Sequence, residues 1–319
     1  MRKSVFTIAL LLGLQVNLTA AAQETKIILR VQNSVRPLVE KWAREYSKSN
    51  KDIAFQLVSG KAEDENNQIS LVTEQTNGAV FFARYAVLPI VSKASDADHL
   101  VSSLSLNAKK LRNLFFEKDE FDDEEHKESK AEKLLHVYSG TSQQSASRLY
   151  ATHFNQENAN FKGKRISGDD SFLNTAISRD PLGVTVNSLQ NIFDLESRKL
   201  KRELSLLPLN IDKKGRLALS EGNLDDIIQL LEHDQFNEIP VGRLGFDYNQ
   251  RNNLLNDFVH WVLANGTQYV HQYGLLNLSQ KELIAELHRT EQFRLRAPRL
   301  TARLGAKGIQ EAKKDIAQK

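Results

Sequence analysis

Ser139-Gly140-Thr141-Ser142 is the segment of this chain best equipped to hold an anion. It lies between a predicted strand, Leu134 to Tyr138, and a predicted helix carrying Ala146, Leu149, Tyr150 and Phe154. Backbone N–H groups at a helix N-terminus lack intrahelical acceptors and together carry about half a positive charge, so they attract anions. Hydroxyls add donors, and a glycine lets the backbone approach closely. Ser34, in an earlier strand-to-helix loop, repeats the design. Two such loops facing one cleft would clasp an oxyanion. The same residues can serve structure alone, with Ser139 or Thr141 capping the helix and Gly140 making the turn.

Other chemistries find little support. The eight histidines form no HExxH-like pair. His260 and His271 are about three helical turns apart and could share a face, but they lack a third metal ligand. The chain has no GxSxG elbow, P-loop or GxGxxG. No catalytic residue, metal or cofactor is therefore expected, and the chain reads as a non-enzyme. Zero cysteine removes disulfides, zinc ribbons, iron–sulfur clusters and thiol nucleophiles.

The elements that must position these residues are legible in the apolar pattern. Thr25 to Val31 is a short strand leading into the loop Gln32-Asn33-Ser34. Val35, Leu38, Val39, Trp42, Ala43 and Tyr46 then recur at helical spacing, with Pro37 in the first turn. A second strand, Ile53 to Val58, ends at Ser59-Gly60. Ala79 to Ala83 and Ala86 to Val91 are near-continuous apolar runs of the kind buried on both faces, and Pro89 predicts an edge or crossing position. Leu106 to Phe116 is predicted helical, and Glu117 to Lys130 is an acidic run read as a solvated loop. Ser178 to Asn187 predicts a turn feeding a strand; Glu238 to Tyr248 is extended and precedes a helix with Leu254, Leu255, Phe258, Val259 and Val262.

The chain has 319 residues, 40% of them hydrophobic, enough for one large domain or two lobes with a real core. Its net charge of +3 is uneven. Residues 1–23 carry Arg2 and Lys3, an apolar run from Val5 to Leu14 and the small residues Thr19-Ala20-Ala21-Ala22. These are the parts of a secretory signal, with cleavage expected after Ala22 or Gln23. From Arg289 onward nine basic residues face three acidic ones, leaving a net −5 for the body between. The 289–319 segment is read as a peripheral helix or frayed tail. With an acidic body, nucleic acid is not an expected partner. No further segment reaches the length of a membrane-spanning helix, so no transmembrane segment is expected after signal removal.

The order of segments resembles the phosphate-type (PstS-like) periplasmic substrate-binding proteins of ABC transporters, from about Lys26 to Leu278. Four stretches carry it: Val31 to Ala43, with a hydroxyl before Pro37 and then Lys41-Trp42-Ala43; Leu104 to Lys118; Ser139-Gly140-Thr141-Ser142; and Asp257 to Val270 with Tyr273 to Leu278. The resemblance implies an α/β, type II, two-lobed fold of mixed sheets flanked by helices, with two crossing strands as hinge near Ala86 to Val91 and Pro240 to Tyr248. Lobe 1 would comprise 24–88 plus 245–288, and lobe 2 would comprise 89–244. By position, the implied ligand-binding residues are Ser34, then Ser59 and Gly60, then Ser139, Gly140, Thr141 and Ser142.

The chain departs from the family where phosphate binders place an Arg and an Asp before the third loop: Leu135 and Val137 stand there. Neither can donate to an oxyanion or accept the proton of hydrogen phosphate. Arg36, Arg84 and Arg148 are the alternative sources of charge. The expected function is a periplasmic protein holding a small anion such as phosphate between its lobes for uptake or sensing, with an ABC transporter permease as partner. The alternative is an envelope interaction or accessory protein with a degenerate cleft.

Overall fold

The computed structural model describes residues 25–59, 66–73, 76, 78–117 and 129–296. The predicted signal segment, Gly60, most of the acidic run and the chain beyond 296 lie outside them. Strand β1 (Thr25–Arg30) buries Ile27, Ile28 and Leu29 in succession, as a strand covered on both faces must. It runs parallel to β2 (Ile53–Val58) on one side and β3 (Gln68–Thr73) on the other, with Leu29 opposite Leu57 and Ile69.

Helix α1 (Arg36–Ser47) makes the β1–β2 crossover and buries Leu38, Val39, Trp42, Ala43 and Tyr46, the stripe its spacing predicts. Trp42 is fully buried, and its Nε1 donates to the Gly266 carbonyl at 2.8 Å. Strand β3 has no counterpart in the sequence reading, because Gln68, Ser70 and Thr73 interrupt its apolar pattern.

The two apolar runs from Ala79 to Val91 form one strand of 13 residues, β4 (Val80–Ser92). After it come α2 (Asp96–Val101), α3 (Ala108–Phe115) and α4 (Lys130–Leu134). Then follow β5 (His136–Gly140), α5 (Ala146–His153), β6 (Lys164–Ile166), α6 (Ser171–Ser178) and β7 (Gly183–Ser188). The chain continues through α7 (Leu189–Ile192), the small hairpin β8 (Phe193–Asp194) and β9 (Lys199–Leu200), and β10 (Leu204–Leu206). It finishes with α8 (Lys213–Glu221), α9 (Leu224–His233), β11 (Val241–Tyr248), α10 (Asn253–Trp261) and α11 (Gln280–Arg296).

The strands join in the order β2-β1-β3-β11-β4-β7-β5-β6, with β10 beside β4. Parallel strands occupy both wings, β2-β1-β3 and β7-β5-β6, and antiparallel β11 and β4 link them. This is a mixed α/β architecture, one long mixed sheet flanked by helices. The crossing is concrete: β4 pairs with β11 up to Ala86 and with β7 from Val87 onward. Val87 N–H donates to the carbonyl of Pro240, where the second connection returns. Pro89 is at the crossing and not at an edge, because β7 and β10 flank it.

Two boundaries differ from expectation. Leu134 ends α4, started by a capping box of Ser129 and Glu132, so the next strand begins at His136. Arg289 to Arg296 continue α11, and the Arg289 guanidinium donates to the carbonyls of Gly78 and Ala79. Among the described residues, no helix is long and apolar enough to cross a membrane.

Candidate functional site

Where strands of the two wings end, a cleft of about 530 Å³ opens between them. One wall is the loop after β1, with Arg30, Gln32, Asn33 and Ser34, joined by Ser59 beyond β2 and Leu71 of β3. The facing wall is Ser142 to Ser145 before α5, together with Asp169, Asp170 and Asn191.

Of the residues the sequence points to, Ser34, Ser59 and Ser142 line this cleft. Arg36 donates to the Ser59 hydroxyl at 2.8 Å, which brings a cation beside that wall. Ser139 and Gly140 are the last residues of β5, and both are buried. The Ser139 hydroxyl finds no hydrogen-bond partner among the described residues. Thr141 is outside the lining and makes a 3.3 Å contact with the Ser167 hydroxyl. Leu135 and Val137 sit in the core, so no functional group stands in their place at the cleft.

A buried hydroxyl without a partner costs about 1–3 kcal/mol of desolvation. Ser139→Ala is therefore expected to leave stability unchanged or raise it by up to about 1 kcal/mol, read as the shift of a urea midpoint at constant m. A loss larger than that would show that the hydroxyl is held by a partner.

Five backbone donors in and after the third loop are already taken, those of Gly140, Thr141, Gln144, Ser145 and Ala146. Gly140 N–H donates to the Ser147 hydroxyl at 2.8 Å, and Thr141 N–H to the Ile166 carbonyl at 3.0 Å. Gln144 N–H donates to the Ser142 hydroxyl and Ser145 N–H to the Ser142 carbonyl. The first N–H of α5, on Ala146, donates to the Asp170 carboxylate at 2.7 Å. The other carboxylate oxygen of Asp170 would lie 2.9 Å from a Cβ at Gly140, so a side chain there would collide with it. Buried Asn187 holds the Asp170 backbone by donating to its carbonyl, and its own side-chain oxygen accepts from Ser188 N–H and Asn191. Burial pushes the Asp170 carboxyl up to about 6, against the lowering effect of the Ala146 N–H.

The cleft is thus polarised, with Arg30 and Arg36 on the β1–β2 side and Asp169 and Asp170 on the α5–α6 side. Arg84 is spent elsewhere: its Nε donates to the Asn277 carbonyl beside the crossing strands. His260 meets Thr290 and His271 meets Glu232, so these two histidines do not form a shared site.

Sequence reasoning missed Asp170 and Gln144. Asp170 stands in Gly168-Asp169-Asp170-Ser171, which reads as an ordinary helix start. The partners of Gln144 are Gln32 and Leu71, both remote in sequence.

No protein-family model matches the chain, and no curated protein matches it. Solved structures do. An ABC-type phosphate transport receptor from Vibrio cholerae is 10% identical with a TM-score of 0.46, covering 79% of this chain and 100% of its own. PstS from Borrelia burgdorferi is 14% identical with a TM-score of 0.44, covering 81% and 100%. The regulatory domain of CrgA, a LysR-type transcriptional regulator from Neisseria meningitidis, is 11% identical with a TM-score of 0.42, covering 75% and 97%. Transport receptors and a regulator thus stand side by side at the same level of likeness, which decides nothing about the ligand.

Proposed function

We propose that the chain is a non-enzymatic solute-binding protein of the bacterial periplasm, holding a small oxyanion, phosphate or a relative, between lobes divided as 24–88 plus 245–288 and 89–244. The observation that carries this reading is the convergence of Ser34, Ser59 and Ser142, from three separate loops, on one interlobe cleft. Arg36 on the Ser59 hydroxyl supplies charge-assisted donation at that wall. An ionised Asp170 carboxylate on the facing wall accepts hydrogen bonds only, and so favours an oxyanion that still carries a proton over a fully ionised one. Solute touching both walls would favour the closed arrangement, and a closed protein would deliver its cargo to an ABC permease.

A second reading is favoured by the third loop, where the N–H groups of Gly140, Thr141, Gln144, Ser145 and Ala146 already donate within the protein. With Asp170 already at the α5 terminus, the cleft can be degenerate, and the chain then acts as an envelope interaction protein through its surfaces. Calorimetric titration of the purified protein with phosphate, sulfate, molybdate and a phosphonate separates the two. A binder gains about 2.7 kcal/mol of stability at a hundredfold excess over Kd, and Ser34→Ala is expected to weaken the successful ligand about tenfold. Silence across the panel at millimolar concentrations would remove the oxyanion reading and leave the second.

A further inference from the structure

We propose that Gln144 is a built-in occupant of the cleft, whose side chain joins the two lobes and holds them closed without any solute. The Gln144 amide works in both directions. Its Nε2 donates to the Leu71 carbonyl of β3 at 2.8 Å, and its Oε1 accepts from Gln32 Nε2 at 2.8 Å. Gln32 Nε2 also reaches the Gln144 backbone carbonyl at 3.2 Å. Gln32 and Leu71 belong to the β1–β3 wing, and Gln144 belongs to the loop between β5 and α5. Three hydrogen bonds therefore span the cleft at one residue, two of them through its side chain, which presents a donor and an acceptor to opposite groups as a bound polar solute would.

The loop that carries Gln144 is prepared for this role. Its own N–H is taken by the Ser142 hydroxyl, and the next two N–H groups by the Ser142 carbonyl and by Asp170. At the crossing strands the lobes are tied again. Arg198 donates to the His271 carbonyl, and Glu232 accepts from Asn277 N–H and pairs with His271, in a segment that bridges to Arg84 of β4. Gln144 sits at the cleft, so it is the tie that opposes opening about the hinge. A ligand shifts a closing equilibrium only through contacts that differ between the two states. Here the chain supplies such contacts itself, and an entering solute must replace an amide that is already paired. The inference stands whether or not the cleft takes an oxyanion.

The absence of cysteine makes the test direct. Arg44→Cys on α1 and Thr175→Cys on α6 place spin labels on exposed residues of opposite lobes, and pulsed electron–electron resonance reads their separation with no competing thiol. Without added solute, the labelled parent is expected to give one short distance. Adding Gln144→Ala is expected to introduce a longer distance holding about a tenth of the molecules, the upper end of a minor-state population. An unchanged distribution in a folded Gln144→Ala protein, or an open parent, overturns the proposal. If that variant does not fold, Gln32→Ala decides, since it removes two of the three bonds from the other wall. Phosphate restoring the short distance supports both the latch and the oxyanion reading. Opening that phosphate does not reverse supports the latch and counts against the oxyanion.

Discussion

Trp42→Ala is expected to cost the fold about 4 kcal/mol. The side chain is fully buried, and its ring meets Phe82 of β4 edge-on at 4.9 Å and Phe246 of β11 at 6.0 Å. Truncation removes this area and leaves a cavity, and core Trp or Phe losses of this kind run to about 3–5 kcal/mol. It also strips the Gly266 carbonyl of its donor. Gly266 and Trp42 are fitted to each other, because a Cβ at Gly266 would stand 2.7 Å from Trp42 Nε1. Against a usual domain stability of about 5–15 kcal/mol this is a large fraction. Urea unfolding followed by far-ultraviolet dichroism measures it; a loss below about 1 kcal/mol would mean that α1 is not anchored here. The effect reaches the cleft, since α1 begins two residues after Ser34 and carries Arg36.

Asp170→Asn is expected to stabilise the protein above pH 6 and to do nothing below pH 4. The folded carboxyl ionises at about 6, against an ordinary value of 3.8. The folded state therefore binds the proton more tightly than the unfolded chain, and stability falls as pH rises between those values. Above pH 6 the full penalty is present, about 3 kcal/mol at most. Asparagine carries no such penalty, and its side-chain oxygen can still accept from Ala146 N–H. Urea midpoints at pH 3.5 and 7.5 test this. A gain that is the same at both values, or a loss at pH 7.5, would show that the carboxylate charge is compensated within the cleft.

Sequence pattern revealed the parts of this molecule whose burial is periodic. The α1 stripe, the apolar β4 and the extended segment that becomes β11 follow from spacing, because a single element's apolar face repeats along its own residues. Strand β3 escaped, since its polar residues break the alternation and it is identified only by pairing with β1 and β11. The third loop shows a finer limit. A strand, a Ser-Gly-Thr-Ser segment and a helix are all present, but β5 runs through Gly140 and so turns Ser139 inward. The cleft's own occupants leave no local trace: Gln144 and Gln32 are 112 positions apart, and Asp170 meets Ala146 from a different helix start.

The place of β11 between β3 and β4 has a consequence for assembly. Strands β3 and β4 do not pair with each other; each waits for a strand that ends at Tyr248. As the chain emerges from its N-terminus, the β4-β7-β5-β6 wing has all its members once Ser188 is out, while the β2-β1-β3 wing still exposes the edge of β3. Contacts this distant are slow to form, because loop closure must precede them. The order of synthesis therefore makes the strands of the β4-β7-β5-β6 wing available before β11 can join the β2-β1-β3 wing to it. An exposed β3 edge is the step at which a folding chain of this design is open to unwanted strand pairing.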